Sequence, residues 1–162
     1  MSRIALRFCV AALFAFAAPS TSSAAETTDL PDALQAKIDA ASSLCASYED
    51  GEFALEESAV QRVDLDGDGN DDWVLDESGF ACSSAASLYS GTGGNMSHFL
   101  IGSELASFQN QGWDIVTFGP HTVLLAQVHG SNCDGINPTP CVVSKVWDAE
   151  AKVWRFATTA PE

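Results

Sequence analysis

The sequence predicts an α+β fold: one N-terminal helix packed on a mainly antiparallel β-sheet or small β-sandwich, braced by two disulfides. Three observations lead there. Apolar residues recur at helical spacing in one early segment only; from Phe53 onward short β-rich runs are split by Gly, Asn, Asp or Pro; and an even number of cysteines follows the expected leader.

The leader is residues 1–25, a secretory signal peptide. Arg3 and Arg7 supply a positive start, Phe8 to Ala18 is an eleven-residue apolar run, and Ser23-Ala24-Ala25 is a small-residue cleavage site. A membrane-spanning helix needs about 20 apolar residues, and neither this run nor any later segment supplies them. Residues 26–162 are then one globular calcium-loop domain, periplasmic or secreted, with no membrane insertion.

Within that domain the helix comes first. Asp29 can cap its start with Pro31 inside the first turn, and Leu34, Ile38, Ala41 and Cys45 fall on one face. Strands are predicted over Gln61 to Leu65, Trp73 to Asp76, His98 to Ile101, Trp113 to Phe118, Thr122 to Val128, Val142 to Trp147 and Lys152 to Phe156. Short sequential strands favour antiparallel pairing. The run KVWDAEAKVWRF reads as a closing hairpin around Asp148 to Ala151, with Trp147 and Trp154 covering the same core. There is no internal repeat, which argues against a propeller.

Charge narrows the partners. The chain has seven Lys and Arg against 22 Asp and Glu; without the two leader arginines, five remain against 22, a net charge of −17. Such a domain is repelled by nucleic acid and by anionic lipid. Twelve of the acids lie between Glu49 and Glu77, with Arg62 the only basic residue among them. Most acidic blocks are solvated surface, so only regular spacing within the block singles out a site.

Cys45, Cys82, Cys133 and Cys141 remain after the leader, and four cysteines in an exported chain imply two bridges. Cys133 and Cys141 bracket DGINPTP, whose two prolines and glycine suit a closed loop, which leaves Cys45 with Cys82. No CxxC spacing supports thiolate ligation of a metal.

Val63 to Trp73 reads VDLDGDGNDDW, five aspartates and two glycines in eleven residues. Asp64, Asp66 and Asp68 stand at positions 1, 3 and 5 of a loop, Gly69 at 6, Asn70 at 7 where a backbone carbonyl can ligate, and Asp72 at 9. This DxDxDGxxD spacing suits a hard cation, because a tight loop turns alternate carboxylates inward and glycine allows the sharp backbone angles. Calcium is expected: many flexible oxygen ligands suit it better than magnesium, and the absence of His and Cys makes it a better fit than zinc. Asp71 is expected to face solvent.

The stretch resembles the calcium loops of EF-hands and of FG-GAP repeats. It departs from the EF-hand at position 12, where Leu75 replaces the bidentate Glu, and its flanks read as strands. The resemblance therefore implies a loop between two strands, as in the FG-GAP type, with Asp72 completing the coordination, helped by Asp76 or Glu77. More widely, the succession VDLDGDGNDDWVLD, CSSAASLYSGTGGN, LLAQVHGSNCDG and PCVVSKVWD is similar to a family of small exported proteobacterial proteins of uncharacterised function. That family commonly flanks TGG with two cysteines, where Ser90 and Asn95 stand here. The resemblance implies the two bridges and the metal loop and carries no catalytic residue across.

No motif specific to catalysis is present. GxSxG, HExxH and a phosphate loop with its Lys are absent, and SGTGGN at Ser90 to Asn95 lacks the strand-to-helix setting of a nucleotide site. His98 and His121 read as structural residues. The expected function is a non-enzymatic, calcium-binding interaction module of the cell envelope, its partner a protein or glycan. One alternative is an inhibitor of an exported hydrolase such as lysozyme, since an acidic domain with a Gly-rich loop suits a basic target. A second is a hydrolase using His129, which lies two residues from Ser131.

Overall fold

The computed structural model describes residues 30–157; the expected leader and the Asp29 cap lie outside them. Helix α1 (Asp32–Ala46) buries Leu34, Ala41 and Cys45, and Ile38 packs partly buried against the same cluster, as the spacing predicts. Its start lies two positions later than the Asp29 cap expected. Pro31 is not in the first turn but at the N-cap, with φ −57° and ψ 141°, and its carbonyl accepts from the N–H groups of Leu34 and Gln35 at 2.9 and 3.0 Å. A proline has no N–H to lose there, and its fixed φ suits the turn into the helix.

Eleven strands follow among the described residues: β1 (Phe53–Leu55), β2 (Val60–Val63), β3 (Asp72–Asp76), β4 (Phe80–Cys82), β5 (Ser90–Gly91), β6 (Gly94–Ile101), β7 (Glu104–Asn110), β8 (Gly112–Phe118), β9 (His121–Gln127), β10 (Val142–Asp148) and β11 (Val153–Phe156). All pairings are antiparallel. One sheet runs β2-β3-β6-β5 with β7 also on β6; a second runs β11-β10-β9-β8; β1 and β4 make a small pair. The fold is α+β, with two disulfides, as expected.

The first sheet lies between the helix and the second sheet, so both of its faces are covered. Leu75 and Leu100 meet Leu34 and Ala41 of α1 on one side. Val74, Phe99 and Ile101 meet Leu124 of β9 on the other, joined by Trp113, Trp147 and Trp154. Each side chain fully buried in these cores contributes about 1.5–3 kcal/mol. Double coverage also explains a strand that the sequence reading lacks. In β7, Leu105 serves the helix side and Phe108 the second sheet, so apolar residues do not alternate as they do in a half-exposed strand.

Between the sheets sits a polar seam. Asp76, 7 % exposed, accepts from the Ser78 N–H, Asn95 Nδ2, Ser97 Oγ and Trp113 Nε1, and Asn110 Nδ2 donates to Ser97 Oγ. Burial raises the Asp76 pKa, but hydrogen bonds from Ser78, Trp113 and Ser97 outweigh it and hold the carboxyl below its usual value.

Cys45–Cys82 ties the end of α1 to β4, with Cα atoms 5.6 Å apart, and Cys133–Cys141 closes the loop before β10 at 5.8 Å. The closing hairpin forms with Trp147 opposite Trp154, their rings 5.7 Å apart. The SGTGGN segment is also a hairpin, Ser90 opposite Asn95, and its tip is pinned where the Thr92 carbonyl accepts from Gln111 and Asn137.

Candidate metal centre

The aspartate loop joins β2 to β3 and is closed by the register pair Val63 and Asp72. Its anchor is Leu65, fully buried in the core between the sheets although aspartates flank it on both sides. With Leu65 inward, Asp64 and Asp66 are left at the partly exposed rim. At the exit, Arg62 lies 4.0 Å over the Trp73 ring and donates to the Asp71 carbonyl, while the exposed Asp71 points no charge into the cluster.

The carboxylates organise the turn through its own N–H groups. Asp64 accepts from Gly67 and Gly69 at 2.7 and 3.0 Å, Asp66 from Asp68 at 3.1 Å, and Asp72 from Leu65 at 3.1 Å. Gly67 and Gly69 take φ of +85° and +87°, a region where other residues are strained. A Cβ at Gly67 would also come within 2.7 Å of Thr122 Oγ1, so glycine lets the loop sit against the second sheet.

This arrangement brings Asp64, Asp66 and Asp72 together: one carboxylate oxygen from each lies within 4.8 Å of the others. Two oxygens on opposite sides of one calcium ion are about 5 Å apart, so the spacing can close on a shared cation. Asp68 lies outside that group, its Oδ1 accepting from the Asn70 N–H and from Nδ2 at 2.7 and 3.0 Å. Asp68 and Asn70 both line the cleft onto which the cluster opens. Asp76, considered as a helper ligand, is instead committed to the polar seam, and Glu77 faces His98 on the helix side.

Burial and the neighbouring carboxylates together oppose ionisation of Asp72. Burial, reinforced by Asp66, Asp68 and Asp64, pushes the Asp72 pKa up to about 6 against the lowering effect of the Leu65 N–H. A cation in the cluster would remove that strain. All the converging ligands are oxygens, which suits a hard ion rather than zinc or copper.

The cleft holds about 510 Å³ and is bounded on its far side by Gly102, Ser103 and Glu104 of the β6–β7 turn and by Trp147 and Lys152. Lys152 Nζ lies 3.9 Å from Glu104 Oε1. Sequence reasoning missed this wall, since Glu104 lies 32 positions beyond Asp72 and no local spacing connects them.

His129, the candidate of the hydrolase alternative, sits in a different place. Its Nδ1 is 2.9 Å from Ser131 Oγ and accepts from the Ser131 N–H, which makes it the cap of a short 3-10 turn, with no carboxylate partner among the described residues. His121 pairs with Phe118 across the β8–β9 turn and is exposed. No described helix is long and apolar enough to cross a membrane. No family model, curated protein or solved structure matches the chain.

Proposed function

We propose that the protein is an exported, calcium-stabilised binding module, periplasmic or secreted, whose partner is a protein or glycan of the cell envelope. The observation that carries the metal is the convergence of Asp64, Asp66 and Asp72 in one hairpin loop with oxygen donors alone. Calcium is the ion favoured, because carboxylates on a partly exposed loop suit its six- to eight-oxygen shell better than magnesium's rigid octahedron. Asp68 and Asn70, along the same cleft wall, complete the shell with water. The two disulfides favour an oxidising compartment, and the acidic balance turns the module away from nucleic acid. Glu104, Trp147 and Lys152 offer the cleft a charged pair and an aromatic wall for a partner.

Calorimetric titration with calcium, magnesium and zinc tests the ion: the account expects saturable calcium binding with magnesium weaker and zinc weakest. Capture of envelope components by the immobilised domain, with calcium and with chelator, tests the partner.

A further inference from the structure

Glu77, His98 and Ser107 form one hydrogen-bonded chain on the helix side of the first sheet. His98 and Ser107 are register partners on β6 and β7, with Ser107 Oγ 2.7 Å from His98 Nδ1. His98 Nε2 is 2.9 Å from Glu77 Oε1, carried there by the 3-10 turn after β3. The ring is 3 % exposed and the Glu77 side chain 21 %, while Ser107 is open to solvent. A covered acid thus leads through a buried ring to an exposed hydroxyl. A general base at this position needs Nε2–H directed to Glu77, which leaves Nδ1 to accept from the Ser107 O–H.

The hydroxyl opens onto a cavity of about 390 Å³ between α1 and the sheet. Leu44, Leu88, Tyr89 and Met96 give it an apolar wall, and Lys37 is the only Lys or Arg lining it. Nucleophile, base and orienting acid are parts of an acyl-transfer site, and the apolar recess beside them is room for an acyl group. His129 and Ser131 have the first two alone.

We propose that this chain is an acyl-transfer centre acting on esters of short acyl groups, with Ser107 as nucleophile, His98 as general base and Glu77 as the residue that positions the ring. The Ser107 Oγ–H proton passes to Nδ1 as Oγ bonds to the acyl carbon, and Lys37 lines the same cavity. The ester C–O bond then breaks and the same proton leaves on the alcohol. Water repeats the sequence on the acyl-serine, giving the acid and free Ser107, so the sum is ester plus water to acid plus alcohol. The proposal goes beyond the calcium reading and does not depend on it.

The mature protein, in calcium and in chelator, is treated with a fluorophosphonate and, separately, assayed with p-nitrophenyl acetate and butyrate. The expected result is one adduct, placed on Ser107 by peptide mapping, and ester turnover that Ser107→Ala lowers by about 100-fold or more at an unchanged melting temperature. Glu77→Gln should lower kcat about tenfold or more with KM nearly constant, which a merely structural acid would not do. Absence of an adduct on Ser107 in the unmutated protein overturns the proposal, as does turnover that survives Ser107→Ala. Those results would leave His98 a satisfied structural histidine.

Discussion

Nε1 of Trp113 donates a 2.8 Å hydrogen bond to Oδ2 of Asp76 across the gap between the two sheets. The contact fixes β8 of one sheet against β3 of the other, and three further donors converge on the same carboxylate. Asp76→Ala strands those donors in a buried seam and should cost about 3 kcal/mol or more, whereas Trp113→Phe removes one donor and the indole's bulk and should cost less. Denaturant unfolding of both variants checks the order.

Asp72 and Asp76 predict opposite responses to acid. Asp76 has a folded pKa below its ordinary 3.8, so its stabilisation is present above that value and is lost as pH falls through the lower folded pKa. Asp72, raised to about 6, binds its proton more tightly in the fold; without metal, its contribution is greatest below pH 3.8 and declines as pH rises towards 6. Calcium must displace that proton, so calcium affinity should fall about tenfold from pH 7 to pH 5. Calorimetry at the two pH values measures it, and an affinity unchanged between them would remove Asp72 from the ligand set.

Cys45–Cys82 spans 37 positions and Cys133–Cys141 spans 8. By loop entropy, removing them should cost about 4 and about 2.5 kcal/mol respectively. Paired Cys→Ala variants in chemical denaturation give the comparison. Equal losses would mean that strain or residual structure, rather than loop length, sets the stabilisation.

What could be read from the sequence is what local spacing encodes. The helix face of Leu34, Ala41 and Cys45, the aspartate loop, the hairpin of Trp147 and Trp154 and the two cysteine pairs all lie within short stretches or follow from counting. Strand β7 escaped because its two faces meet two different cores. The three-residue strands β1 and β4 are too short for a period to show. Glu104 at the cleft beside the aspartate loop, and the line of Glu77, His98 and Ser107, arise from register between β3, β6 and β7, which is set by distant packing and leaves no motif.

The aspartate loop carries the functional account, and a melting experiment tests it most directly. Exported modules hold calcium at dissociation constants of about 0.1 to 1 mM. At about 0.1 mM, roughly 1 mM calcium stabilises the fold by about 1.4 kcal/mol, a rise in melting temperature of roughly 4 to 8 °C. Asp64→Ala, Asp66→Ala and Asp72→Ala should abolish that rise, Asp68→Ala should reduce it, and Asp71→Ala should leave it intact. If the unmutated protein melts at one temperature in excess chelator and in about 5 mM calcium, with no heat of binding, VDLDGDGNDDW is an acidic turn and the calcium account is wrong.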